Sequence, residues 1–232
     1  MPKTKTTKKS EETRRRIFDS ALALFRKRGF ADTTMRDIAQ EAGVALGAAY
    51  YYFDSKDAIV MAFYERTQQE LVPQVADALS HARGLKQRLG AVVRVKLEYC
   101  APNRRLLAAL ATHIDPQHPL SPFSEQTRAI RDADTRFFEN ALGGADISLP
   151  EDLAAHLPRL LWLYQMGLLL FWVYDRSPRQ WRSTQLFEKT LPIVVKLIRL
   201  SSFPLLRPLR KMVTELLELI SGSQEETAEA LV

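Results

Sequence analysis

Apolar positions recur at helical spacing along almost the whole chain, and nowhere do they alternate as in a half-buried strand. Ile17, Ala21, Leu24 and Phe25 fall at i, i+4, i+7 and i+8, one face of an amphipathic helix. Ser10 is the expected N-cap of that helix, with Glu11 and Glu12 near its positive end, and Gly29 is its stop. A shorter stripe follows at Ile38, Ala39 and Ala42, in a helix placed from Met35 to Ala42. Thr34 stands three residues before Asp37, the spacing of a capping box, and Gly43 ends the helix. The next helix, Leu46 to Phe53, opens on Gly47, Ala48 and Ala49 and closes on Tyr50, Tyr51, Tyr52 and Phe53. Four adjacent aromatics sweep about 300° of a helix at about 100° each, so they cannot all be core. Some of them are offered to a partner. Small residues permit close approach, and helix N-terminal N–H groups favour phosphate. Two short helices around a tight turn fit a helix-turn-helix whose second helix enters a DNA major groove.

Beyond it, Asp54 or Ser55 can cap a fourth helix that carries Lys56 in its first turn. That helix runs through Ile59, Phe63 and Leu71 towards Ser80, with a bend expected at Pro73. A lysine is not favoured electrostatically at a helix start, so Lys56 reads as a group aimed at a phosphate outside the helix. Further helices are predicted at 84–100, 103–113, 122–142, 151–176, 179–200 and 205–220. The stretch Leu160–Tyr174 is apolar on every face and must be buried all round. It contains Gln165 and falls short of the roughly 20 residues that cross a bilayer. One side can pack within its own subunit while the other meets a second copy. With the next helix (Leu186, Thr190, Ile193, Val194, Leu197, Ile198) it predicts a four-helix bundle between two chains, hence a homodimer.

Residues 13–59 resemble the DNA-binding domain of the TetR family of bacterial transcriptional regulators. The resemblance is carried by Ile17, Ala21, Leu24-Phe25, Gly29, Thr34, Ile38-Ala39, Ala42-Gly43-Val44, Gly47, Tyr50, Tyr52-Phe53 and Ser55-Lys56. It implies an all-α protein: an N-terminal three-helix helix-turn-helix domain, then a helical ligand-binding and dimerisation domain. The expected boundaries are a basic disordered arm over 1–10, the DNA-binding domain over 11–58, the helical domain over 59–220 and a polar tail over 221–232. Matching positions imply base contacts by Arg36, Ala48 and Tyr50, more weakly by Leu46. They imply phosphate contacts by Thr34, Tyr51, Tyr52 and Lys56 and by the backbone at Gly47. The alternative reading of Arg36 is an ordinary surface arginine. Ala45 and Leu46 depart from the pattern, which has Ser or Thr at the first position and often a polar or basic residue at the second. In such regulators the C-terminal domain encloses a pocket for a small hydrophobic molecule. Trp162, Gln165 and Leu169, at i, i+3 and i+7, share a helix face and are the candidates to line it. The implied activity is binding of a pseudo-palindromic double-stranded operator by a dimeric repressor, relieved by ligand.

Charge sharpens the division. Residues 1–53 hold 11 Lys/Arg against 6 Asp/Glu, a balance of +5 out of the chain's +6, so the other residues are nearly neutral. A basic module beside a neutral one is the footprint of a nucleic-acid partner. The single cysteine, Cys100, cannot form an internal disulfide, and no apolar segment follows the opening lysines, so a cytoplasmic protein is expected. His81, His113, His118 and His156 show no ligand spacing with one another or with Cys100, and no nucleophile or phosphate-loop motif is present. No cofactor, metal or enzymatic activity is expected. Two rival readings stay open. One is a DNA-binding regulator without an inducer that works through a protein partner. The other is a helical carrier of lipid or other hydrophobic compounds, which leaves Thr33–Phe53 unexplained.

Overall fold

The computed structural model describes residues 3–203 together with 207, 208, 211, 212 and 215, and of residues 3–7 the backbone. The fold is all-α, with no strand among the described residues. In order, the helices are α1 (Lys3–Lys27), α2 (Met35–Glu41), α3 (Leu46–Tyr52), α4 (Lys56–His81) and α5 (Gly84–Cys100). They continue with α6 (Arg104–Leu110), α7 (Arg128–Gly143), α8 (Glu151–Ala154), α9 (Leu157–Tyr174) and α10 (Trp181–Ser201). Two compact units emerge, one of Met1–Gln74 and Lys96–Ala133, the other of Val75–Val95 and Asp134–Val232. The first unit therefore takes in residues 96–133, which the sequence reading assigned to the C-terminal domain.

The first unit is built on the apolar face of α1. Ile17, Ala21 and Phe25 are fully buried in one cluster with Ile38 and Ala39 of α2, Ala49 of α3, and Ile59, Val60 and Phe63 of α4. Leu106, Leu110 and Leu120 close that cluster from the later segment. Polar ties fix α1 to its neighbours. Arg105 donates to the carbonyls of Lys27 and Arg28 at 2.6 and 2.8 Å, serving as a C-cap for α1, and Arg26 donates to the Asn103 side chain at 2.7 Å. Midway, Arg66 of α4 bridges Asp19 of α1 at 2.9 Å and Glu70 at 2.6 Å, and Tyr99 of α5 donates to the same Glu70 at 2.6 Å. Burial and then the Glu70 bond push the Tyr99 phenol up to about 12, so it remains a donor.

In the second unit α9 packs on α10, with the Tyr164 and Thr190 hydroxyls 2.7 Å apart. Phe187, Leu191, Val195 and Ile198 form the buried stripe of α10, and Leu161, Trp162, Gln165, Leu168 and Trp172 that of α9. Arg88 of α5 donates to the carbonyls of Leu79, Ala141 and Asn140, and its guanidinium lies where a side chain at Gly144 would stand. Among the described residues an apolar stripe of α9 is left exposed: Leu163, Leu170, Phe171 and Tyr174, with Gly167 between them. Ile193, Leu197 and Leu200 are similarly exposed on α10.

Three expectations change. Helix α1 begins at Lys3, so the arm expected to be disordered over 1–10 is helical from Lys3, and Ser10 lies inside the helix rather than at its N-cap. The expected helix 122–142 starts only at Arg128, because local hydroxyls bind the preceding backbone instead. Ser121 donates to Ile114 O, Ser124 to Pro119 O and Thr127 to Ser121 O, at 3.1, 3.0 and 2.7 Å. Residues 151–176 form two helices, α8 and α9, with Pro158 in the first turn of α9, where its missing N–H is no loss. Apart from five single positions, the expected helix 205–220 lies outside the described residues, as does the tail 221–232.

Asp175 joins α9 to α10. Its carboxylate accepts the Ser183 hydroxyl and N–H at 2.6 and 2.9 Å and the Ser177 N–H at 2.9 Å. Burial pushes this carboxyl up, but those hydrogen bonds outweigh it and hold it well below the usual carboxylate range. A depressed carboxyl stabilises the fold above its unfolded value, about pH 4, and loses that contribution as pH falls further. Acid unfolding of Asp175→Asn should accordingly start from a lower melting temperature at pH 7 and show a shallower decline below about pH 4 than the native chain.

Candidate nucleic-acid interface

Local rules account for the geometry of the α2–α3 pair. Thr34 accepts the Asp37 N–H at 3.2 Å while Asp37 accepts the Thr34 N–H at 2.8 Å, the expected capping box. The Thr34 hydroxyl and N–H hold the Asp37 carboxyl below its ordinary value, with Arg28 and Arg36 adding to the shift, and Arg28 approaches it to 3.4 Å. Gly43 turns the chain at φ +63°, in the left-handed region that glycine enters without a side-chain clash. The Val44 N–H then returns to Ala39 O at 3.0 Å. At the start of α3, Ala45 has extended backbone angles suited to an N-cap but no side chain to fill the role.

Burial sorts the aromatic run. Phe53 is 3% exposed and tilted against Phe18, with the Arg14 guanidinium 4.7 Å from its ring centre. Ala49 is fully buried beneath the helix. Tyr51 is 81% exposed, and Tyr50 about half. Tyr52 is half-buried: its ring meets Tyr51 edge-on at 5.1 Å, and its hydroxyl lies 3.1 Å from that of Ser10. Thr34, Arg36, Ala45 and Gly47 are exposed, and Ala48 is half-buried. Leu46 packs partly against the core, so much of its surface is committed inward. Lys56 finds a partner inside the protein, donating to Phe30 O at 2.8 Å with its ammonium 4.5 Å from the Phe30 ring centre. Its placement at a helix start therefore has an internal explanation. An ammonium carries three donors, and one carbonyl uses one of them.

The sequence reading did not bring Ser10 and Arg14 to the α3 region, although a signal was present. Ser10, Arg14, Ile17 and Ala21 stand at i, i+4, i+7 and i+11, so the inward face of α1 simply continues through two polar residues that meet α3 and its C-cap.

The candidates for a ligand site lie in the second unit. Trp162 and Gln165 are buried and Leu169 is half-buried. The Gln165 side-chain oxygen is fully buried with no hydrogen-bond partner among the described residues. Buried acceptors are rarely left in that condition. Among the described residues no helix is long and apolar enough to cross a membrane.

Two family profiles match the chain. The profile of the bacterial regulatory proteins of the tetR family matches residues 17–63, and that of the tetracyclin repressor-like C-terminal domain matches residues 88–219. The transcriptional regulator SrpR of Pseudomonas putida is 42% identical over 67 residues, 29% of this chain and 32% of SrpR. The regulator BetI of Agrobacterium fabrum is 31% identical over 118 residues, 50% of this chain and 55% of BetI. The chain thus spans about half or less of the length of these curated relatives. Among solved structures, FadR of Bacillus subtilis in complex with stearoyl-CoA superposes with a TM-score of 0.59 at 16% identity, covering 81% of this chain and 98% of that one.

Ala45 provides a direct check on the local account of α3. Ala45→Ser supplies the missing cap at a backbone geometry already suited to it, and should stabilise the chain by about 0.5–2 kcal/mol in chemical denaturation. An unchanged midpoint would mean that Ala45 is not the effective N-cap.

Proposed function

Because the chain belongs to the TetR family of bacterial transcriptional regulators, we propose that it is a repressor. It binds a pseudo-palindromic operator as a homodimer and is released by a small hydrophobic ligand held in its C-terminal domain. The observation that carries the DNA reading is the division of α3: Ala49 and Phe53 anchor it while Tyr50 and Tyr51 stand in solvent. In this reading Arg36, Ala48 and Tyr50 touch base edges, with a smaller part for Leu46. Thr34, Tyr51, Tyr52, Lys56 and the Gly47 backbone touch phosphates, and Ala45 stays close to the DNA without a hydroxyl to offer it. Arg36 is the one group among them able to fork onto a guanine edge. The functional division stays at 11–58 for DNA binding and 59–220 for ligand and dimer. The protein works in the cytoplasm, where its operator is.

The dimer reading is supported by the uncovered apolar stripes of α9 and α10, which a second copy would bury in a four-helix bundle. Such a dimer would set its two recognition helices about 34–36 Å apart, one turn of DNA. The ligand reading is supported by the unpartnered Gln165 oxygen on the Trp162–Leu169 face of α9. An apolar molecule carrying one hydrogen-bond donor suits it. FadR of Bacillus subtilis, similar in fold, was solved with stearoyl-CoA, which keeps long-chain acyl compounds among the first ligands to try. To release DNA a ligand must favour the non-binding conformation, typically by about 1–3 kcal/mol.

Selection of duplexes from a random pool tests the DNA reading. An inverted repeat should be enriched, with affinity falling steeply between low and moderate salt. Binding that is salt-sensitive but enriches no sequence would refute an operator-specific repressor. For the ligand face, Gln165→Met replaces the amide by an apolar side chain of similar length. It should raise the ligand-free stability by about 1 kcal/mol while weakening the release of the selected duplex by stearoyl-CoA. A loss of stability in calorimetry would show that the amide is already satisfied.

A further inference from the structure

We propose that Ser10 is a positioning residue of the DNA interface, holding the Tyr52 hydroxyl so that its proton points to a DNA phosphate. The proposal rests on the reading of Tyr52 as a phosphate contact and extends it to a residue outside the helix-turn-helix. Ser10 Oγ and Tyr52 Oη lie 3.1 Å apart, the one side-chain hydrogen bond found between α1 and α3 among the described residues. Both residues are half-buried, so the pair sits at the edge of the core rather than within it.

In the free protein either hydroxyl can donate to the other. A phosphate removes that ambiguity. It presents only acceptors, so Tyr52 must donate outward, which leaves its oxygen to accept from Ser10. The result is a chain from Ser10 through Tyr52 to phosphate in which each bond polarises the next, strongest when the terminal acceptor is charged. The surroundings favour it. The Arg14 guanidinium, one turn along α1 from Ser10, lies 4.7 Å from the neighbouring Phe53 ring, and Lys8 and Lys9 are exposed just before Ser10. Cationic charge at this corner stabilises an anion beside Tyr52. Meanwhile the Tyr51 ring, edge-on to Tyr52, limits the rotation of that phenol. Ser10 cannot be explained as a cap, since α1 extends from Lys3 through it.

The test is a double-mutant cycle on the native chain, measuring affinity for the inverted-repeat duplex recovered by selection, with melting temperatures in parallel. Ser10→Ala and Tyr52→Phe should each weaken binding by about two- to tenfold, the worth of one hydrogen bond. The double variant should bind no more weakly than Tyr52→Phe alone, and Ser10→Thr should restore the native affinity. Losses that add in the double variant would overturn the proposal, as would a Ser10→Ala chain that binds like the native one. A loss that follows a fall in melting temperature and is not rescued by Ser10→Thr would make Ser10 merely structural, and would also overturn it. If Tyr52→Phe alone binds normally while the native chain still selects its repeat, the phosphate role of Tyr52 fails and Ser10's fails with it. If the native chain selects no duplex, the fault lies with the repressor reading itself.

Discussion

A seven-residue recognition helix has no stability of its own, and the rest of the first unit answers to that constraint. Isolated helices shorter than about 12–15 residues are marginal in water, and α3 lacks even a side-chain N-cap. Its shape is therefore imposed by packing, through Ala49 and Phe53 in the cluster that α1, α2 and α4 complete. Magnitudes favour this ordering of causes. A missing cap costs about 1 kcal/mol, whereas removing a buried aromatic ring such as that of Phe53 costs about 3–5 kcal/mol. Once the inner face is committed to Ala49 and Phe53, helical geometry leaves Tyr50 and Tyr51 facing outward. The exposed surface of α3 is thus the complement of a packing requirement.

If packing orients α3, whatever fixes α1 also fixes α3. Helix α1 is held along its length: Arg105 and Arg26 at its C-terminal end, Asp19 to Arg66 at its middle, Ser10 to Tyr52 near its start. Exposed ion pairs such as Asp19–Arg66 are worth little individually, about 0–1 kcal/mol. Their effect is directional. Arg66 also grips Glu70, which in turn accepts from Tyr99, so α1, α4 and α5 share one polar chain. A shift of α4 against α5 has to stretch that chain or carry α1 with it.

Much of this was legible in the sequence because periodicity reports which face of a helix is inward. The stripes of Ile17–Phe25 and Ile38–Ala42, the Thr34–Asp37 box and the Gly43 turn all follow from spacing and local chemistry. Periodicity does not report what an inward polar residue meets. Ser10 obeys the rule for a cap and the rule for the inner face of α1, and only the three-dimensional position of Tyr52 decides between them. Ser121, Ser124 and Thr127 mislead for a related reason. Their hydroxyls compete for backbone groups, and the outcome depends on where the loop carbonyls of Ile114 and Pro119 happen to lie. Lys56 is a third case: its charge was correctly noticed, but the Phe30 carbonyl and ring that receive it are 26 positions away in the chain.

Helix α9 shows how a uniformly apolar sequence can hold two distinct surfaces. From sequence, every face of Leu160–Tyr174 looks equivalent. Packing against α10 breaks the equivalence, giving an inner stripe with Trp162 and Gln165 and an outer one with Leu163, Gly167, Leu170, Phe171 and Tyr174. Among the described residues, the inner stripe contains a buried polar atom without a partner, and the outer one is exposed apolar surface. Both are costly in a lone chain, by unsatisfied hydrogen bonding in one case and hydration in the other. An α-helix transmits displacement along its length as a nearly rigid body, and opposite faces of α9 are separated by only about 10 Å, the diameter of a helix with its side chains. In a dimeric regulator, a molecule that satisfied Gln165 would press on the same helix that meets the second copy, so ligand occupancy and subunit geometry would be coupled through one element rather than a long relay.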